Sequence, residues 1–129
     1  MPNNLIKKKG VLFGVGGMAV EYSKVLQDLA ATFTIVGRSE AGVRNFFEKT
    51  GIQALPNGFA TWEKLNLIDT EYAIIAVNVE ALAEIAIKLM DFGIRNILLE
   101  KPGGLTPKEI QRVRDRAQET KTKILIGYN

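Results

Sequence analysis

The sequence predicts an α/β fold in which a doubly wound parallel sheet is covered by helices on both faces. Three observations lead there. Short apolar runs of strand length alternate with longer stretches whose apolar residues recur at helical spacing, the pattern of repeated strand-helix-strand units. The runs Val11-Leu12-Phe13, Tyr72-Ala73-Ile74-Ile75-Ala76-Val77 and Ile97-Leu98-Leu99 are continuously apolar, as strands buried on both faces are. The first run breaks into Gly14-Val15-Gly16-Gly17-Met18-Ala19, a glycine-rich turn that opens directly on a helix-periodic segment.

In chain order, Lys9 to Val15 reads as the first strand and Gly17 to Ala30 as the first helix. Met18, Tyr22, Val25, Leu26 and Leu29 are expected to form its sheet-facing stripe. Thr32 to Val36 is the second strand. Gly37-Arg38-Ser39 ends it, with Ser39 as N-cap of a helix from Glu40 to Lys49 that Gly51 stops. Ile52 to Leu55 is expected as a third strand before the turn Pro56-Asn57-Gly58, and Thr61 to Leu67 as a short helix in which Trp62 and Leu65 pack. Tyr72 to Val77 is the fourth strand, and Asn78 is placed to cap a helix that runs to Phe92 and ends at Gly93. Ile97 to Leu99 is the fifth strand, followed by Glu100-Lys101-Pro102-Gly103-Gly104. Thr106-Pro107-Lys108-Glu109 is a strong helix start: threonine cap, proline at the first helical position, and a glutamate that reaches back. Lys123 to Gly127 closes the series. With right-handed crossovers, this succession gives the Rossmann order 3-2-1-4-5-6.

Composition narrows the function. A length of 129 residues, 47% of them hydrophobic, suits one compact domain over residues 1–129, with a real core but without room for a two-domain enzyme. No run approaches the ~20 apolar residues of a membrane helix. Met1-Pro2-Asn3-Asn4 and Lys7-Lys8-Lys9 lack the apolar segment of a signal peptide, so a cytoplasmic protein without membrane contact is expected. The absence of cysteine excludes disulfides and thiolate metal sites, and the absence of histidine removes the commonest metal ligand and general base. No metal site is expected, and chemistry falls to Lys, Tyr, Asp, Glu or a bound cofactor. The lysine run in a chain of net charge +3 has no interleaved aromatics, and reads as a solvated lead-in with no nucleic-acid surface.

The glycine turn has the form of a phosphate cradle. Gly14 allows a sharp exit from the strand, Gly16 has no side chain to hold a pyrophosphate off the backbone, and Ala19 lets the helix pack closely on the strand. Gly17 and Met18 belong to a helix N-terminus whose free N–H groups and partial positive charge favour an anion. The ligand then lies across the carboxyl ends of the strands, where Arg38, Ser39, Val77, Asn78, Glu100 and Lys101 also fall. A purely structural glycine turn is the alternative at this point.

Gly14-Val15-Gly16-Gly17-Met18-Ala19 and Leu99-Glu100-Lys101-Pro102 together resemble the glucose-fructose oxidoreductase, inositol dehydrogenase and rhizopine-catabolism (Gfo/Idh/MocA) oxidoreductases over nearly the whole chain. The second motif is the more specific. The resemblance implies a nicotinamide-dependent enzyme of sugars, cyclitols or related polyols, in which Lys101 sits where the family has its substrate-contacting, catalytically important lysine. Val77-Asn78-Val79 and Leu82 stand where the family carries a Thr-Pro-Asn-like turn and a histidine. The family also has a second, mostly antiparallel α+β substrate domain, whose counterpart is absent from this sequence. The expectation is therefore a cofactor half that is inactive or weakly active unless a second domain or subunit completes it. A non-catalytic nucleotide-sensing or CoA-binding Rossmann module is the other reading.

Arg38 bears on the cofactor. NAD-selective turns end the second strand in Asp or Glu, which accepts from the ribose 2′-hydroxyl, whereas arginine there pairs with a 2′-phosphate, and Ser39 adds a hydroxyl. NADP is favoured, with NAD still possible; a solvated Arg38, or one stacked on adenine, fits either. Lys101 has a plain alternative too, as an exposed lysine in a weak surface pair with Glu100. Finally, with no partner domain, the apolar surface around Ile124 to Tyr128 is expected to be poorly covered and to favour a homo-oligomer.

Overall fold

A computed structural model describes residues 9–65 and 69–127. Lys7, Lys8, Leu67 and Tyr128, which figure in the sequence reading, lie outside the described residues. The elements are β1 (Lys9–Phe13), α1 (Gly17–Asp28), β2 (Thr32–Val36), α2 (Glu40–Thr50), α3 (Gly58–Lys64), β3 (Thr70–Ile75), α4 (Val79–Phe92), β4 (Asn96–Glu100), α5 (Pro107–Thr120) and β5 (Lys123–Gly127). The five strands form one parallel sheet in the order β2-β1-β3-β4-β5. This is the expected Rossmann arrangement with one reduction. The segment from Ile52 to Leu55 is not a strand; only Leu55 makes a parallel bridge, to Val36 on the outer side of β2. Ala54 is buried inward, while the backbone at Leu55 donates to Ile35 O and accepts from Gly37 N, so the segment is held by two bonds rather than a ladder.

Strand residues alternate between two cores, as the pleat requires. Val11, Phe13, Ala73, Ile75, Ile97 and Leu99 face Leu82, Ala86, Leu89 and Met90 of α4, Val113 of α5 and Trp62 of α3. Leu12, Ile35 and Ile74 face Ala19 and Leu26 of α1, and Val43 and Phe46 of α2. Helix starts follow the sequence signals where a side chain is free to turn back. Ser39 Oγ accepts from Gly42 N at 3.0 Å, Thr106 Oγ1 accepts from Glu109 N at 3.1 Å, and Glu109 Oε1 accepts from Leu105 N at 2.8 Å. Gly51 ends α2 with φ 75° and Gly93 ends α4 with φ 121°, both in the region that favours glycine.

Four expectations need correction. Asn78 occupies the N-cap position of α4, but its side chain makes no capping bond. The third helix starts earlier than Thr61, at Gly58, because Asn57 takes a left-handed φ of 68° and turns the chain in at once. Leu65 follows that helix largely exposed, while Trp62 is wholly buried. In α1 the sheet-facing residues are Ala19, Ser23 and Leu26, whereas Val25 and Leu29 are 55% and 40% exposed. Their side of the sheet carries only α1 and α2, and its far end at β5 is open, with Leu125 56% exposed. No helix among the described residues is long and apolar enough to cross a membrane.

Candidate functional site

The strand register brings one end of the sheet to a common level. Phe13 pairs with Val36 and with Ile75, Ile75 pairs with Leu99, and Glu100 pairs with Gly127. The carboxyl ends of all five strands therefore open on one edge, and the glycine turn lies near its middle. Beneath it, Phe13 packs edge-on against Trp62 with ring centroids 5.7 Å apart, and Trp62 lies 4.7 Å from Phe92. Such aromatic pairs contribute about 0.5–1.5 kcal/mol each beyond the area they bury, and they give the turn a rigid floor. Trp62 Nε1 has no hydrogen-bond partner among the described residues, a local cost that this packing offsets.

The glycines of the turn have different tasks. Gly14 has φ 129°, and a Cβ there would lie 2.2 Å from the Ala76 carbonyl oxygen. Its N–H donates to Val36 O at 2.8 Å, so the residue is wedged between the ends of β2 and β3. No side chain fits. Gly16 has an ordinary φ of −84° and is the N-cap of α1, with no side-chain cap on the helix and no acidic residue in its first turn. A Cβ at Gly16 or Gly17 would meet nothing within 4 Å. Packing therefore explains Gly14 alone. Gly16 and Gly17 leave open space in front of a helix start whose first N–H groups have no intrahelical acceptor, the geometry that accommodates a pyrophosphate.

Gly14, Gly16, Arg38, Ser39, Val77 and Asn78 line one cleft of about 260 Å³. Its walls also include Ala76 and Ile85, and Gly58, whose N–H donates to Gly37 O at 2.9 Å. Gly58 was legible only as a turn residue. Arg38 is exposed at the end of β2 and makes no ion pair or hydrogen bond among the described residues. Ser39 lines the cleft and uses its oxygen as acceptor to cap α2, so its hydroxyl still has a proton to donate. Gly17 and Met18 form the first residues of α1, and Ala19 is fully buried against the sheet.

Glu100 and Lys101 lie further along the same edge and do not line this cleft. Lys101 is exposed at the mouth of a neighbouring groove of about 640 Å³, between α5 and the ends of β4 and β5. The turn that carries it is closed by Gly103 N–H donating to Glu100 O at 2.9 Å. The Glu100 carboxylate accepts from the Tyr22 hydroxyl at 2.9 Å. Burial, then this bond and the negative charge beside it, push the Tyr22 phenol up to about 12. Helical spacing makes Tyr22 an apolar position of α1 and carries no signal of what its hydroxyl meets. Among the described residues no group of three or more Asp and Glu is placed to hold a metal.

Residues 8–128 match the sequence profile described as oxidoreductase family, NAD-binding Rossmann fold, the N-terminal region of the Gfo/Idh/MocA proteins. The chain belongs to that family. The matched span includes both the glycine turn and the motif from Leu99 to Pro102. Curated protein sequences give no match. Solved structures give many. GenD2 from gentamicin A biosynthesis, in complex with NAD, superposes with a TM-score of 0.76 at 20% identity over 94% of this chain and 34% of its own. UDP-N-acetylglucosamine 3-dehydrogenase GnnA from Acidithiobacillus ferrooxidans gives 0.76 at 19% identity, over 95% and 38%. Biliverdin reductase from Synechocystis, with biliverdin and NADP+, gives 0.72 at 21% identity, over 92% and 37%. The chain thus spans little more than a third of each, and the likeness is one of fold.

Proposed function

We propose that residues 1–129 form the dinucleotide-holding domain of a Gfo/Idh/MocA-type oxidoreductase of sugars, cyclitols or related polyols, with a preference for NADP. The observation that carries this reading is the division of labour in the glycine turn: Gly14 is demanded by Ala76, whereas Gly16 and Gly17 guard open space. Gly16, Gly17 and Met18 would hold the pyrophosphate through backbone N–H groups, and Arg38 with Ser39 would hold the adenosine-side phosphate. Val77, Asn78 and Glu100 would flank the other half. The bound cofactor supplies the hydride chemistry, and the chain supplies binding and orientation. Similar structures named with NAD and with NADP+ support a nicotinamide dinucleotide of either kind, and Arg38, which has no ion pair among the described residues, supports the phosphorylated one.

Lys101 is the residue we assign to the substrate, holding its oxygen and passing a proton at Nζ. Fixing a substrate in a reactive geometry accounts for about 7–11 kcal/mol of a barrier. An exposed lysine on an open edge does not supply that, so turnover by this chain alone is expected to be slow or absent. The open β5 edge, with Leu125 and Ile126 56% and 38% exposed, supports self-association, and we place the protein in the cytoplasm as a homo-oligomer.

Thermal shift with NADPH, NADH, CoA and ATP tests the reading. At a hundredfold excess over Kd, a ligand bound only by the native state adds about 2.7 kcal/mol, on the order of 10 °C for a domain of this size. NADPH should give the largest rise. A rise with CoA alone would establish a CoA-binding module instead.

A further inference from the structure

One step beyond the last pairs of β1, β2 and β3, and level with Glu100 and Gly127 at the ends of β4 and β5, the chain carries Gly37, Gly14 and Ala76. All of these but Glu100 are glycine or alanine, so this level of the edge is nearly bare backbone. Glu100 is its one polar side chain, and Glu100 Oε2 is held at 2.9 Å by the hydroxyl of Tyr22 from the second turn of α1, 78 positions away in sequence. The bond has room because residue 127 is glycine: a Cβ there would come 3.0 Å from the Tyr22 oxygen and 3.8 Å from Glu100 Oε2. The helix that starts at the phosphate cradle is thereby tied to the strand end from which the Lys101 turn departs.

We propose that Tyr22 is a positioning residue, whose bond to Glu100 fixes the Glu100-Lys101 turn against α1 so that the half of a dinucleotide remote from Arg38 meets a rigid wall. The inference rests on the nicotinamide reading above. Sheet order supports the assignment of halves. Arg38 ends β2, on one side of the glycine turn, and Glu100 ends β4, on the other side, with β1 and β3 between them. A dinucleotide laid across the carboxyl ends with its 2′-phosphate at Arg38 puts its nicotinamide side toward β4. Burial and the neighbouring carboxylate keep the Tyr22 phenol protonated well past neutral pH, so the donor is present at any working pH. Without it, Glu100 is a half-buried carboxylate missing a donor, and the end of β4 loses its tie to α1.

The test titrates the chain with NADPH and, separately, with adenosine 2′,5′-bisphosphate, which carries the Arg38-side groups and lacks the nicotinamide half. Tyr22→Phe should weaken NADPH about fivefold or more and leave the bisphosphate within about twofold, since the bond removed is charge-assisted and lies at one end of the ligand only. Glu100→Ala should reproduce the split from the acceptor side, and it carries the test if Tyr22→Phe does not fold. The double variant should be no weaker than the weaker single variant, because both remove one interaction. An unchanged NADPH affinity in folded Tyr22→Phe or Glu100→Ala, or an equal loss for both ligands, would overturn the positioning role. A parent chain that bound neither ligand would overturn the nicotinamide reading itself.

Discussion

Replacing Gly14 and Gly16 by alanine, one at a time, should give opposite phenotypes although the residues are two positions apart. At Gly14 an L side chain must adopt φ 129°, and its Cβ would sit 2.2 Å from the Ala76 carbonyl oxygen. Holding a residue in such a region costs about 1–3 kcal/mol, and overpacking against backbone adds about 1–3 kcal/mol more. The loss of about 2–6 kcal/mol is a large share of the roughly 5–15 kcal/mol that stabilises a domain. At Gly16 the φ of −84° suits any residue and the space is open to 4 Å, so only the N-cap preference is lost, about 1 kcal/mol. The methyl, however, stands where a pyrophosphate must approach the backbone. Urea unfolding should show a deep loss for Gly14→Ala and a slight one for Gly16→Ala. NADPH titration should show at least a tenfold loss for Gly16→Ala, roughly 1.4 kcal/mol or more. If Gly16→Ala bound NADPH as tightly as the parent, the turn would not be a phosphate cradle. A Gly14→Ala variant within about 1 kcal/mol of the parent would refute the wedge between β2 and β3.

Arg38→Ala should weaken NADPH tenfold or more and leave NADH almost unaffected, because a charge-assisted contact contributes roughly 1.5–3 kcal/mol; equal affinities of the parent for the two would refute the preference. Stability should decline as pH rises from about 10 toward 12, since the unfolded chain releases the Tyr22 proton near 10 while the folded chain keeps it to about 12. Buried Tyr72, raised by desolvation, acts in the same direction, and Tyr22→Phe should remove part of the alkaline decline measured by denaturant unfolding at stepped pH. Leu125→Lys should abolish self-association measured by light scattering, because it charges the more exposed of the two exposed apolar residues of β5. A parent chain that was monomeric at all concentrations would contradict that surface's role.

The alternation of apolar runs and helical stretches was enough to order the sheet, because buried parallel strands are apolar on both faces and their crossovers have one hand. Capping chemistry at Ser39 and Thr106 was legible because both bonds form within one turn of sequence. What was not legible is long-range. Ile52 to Leu55 has strand-like residues but pairs only through Leu55, and nothing local tells a single bridge from a ladder. Val25 and Leu29 keep helical spacing, yet stay largely exposed, because coverage is decided by which elements the topology packs against a helix. The cleft residues Gly14, Gly16, Arg38, Ser39, Val77 and Asn78 were identified from their places at strand ends, and the fold gathers them. Tyr22 was missed as a polar group because its partner lies 78 residues away.

The sole tryptophan offers the most direct test that this edge binds a nicotinamide dinucleotide. Trp62 is fully buried and packs on Phe13, the residue that leads into the glycine turn and lines the cleft. NADPH bound in that cleft would lie close enough to accept excitation energy from the indole. Titrating NADPH while exciting Trp62 should therefore quench its emission and raise sensitised cofactor emission saturably, and Gly16→Ala should weaken both changes together. Saturable NADPH binding with no energy transfer, or transfer undiminished in Gly16→Ala, would place the ligand elsewhere and contradict the account.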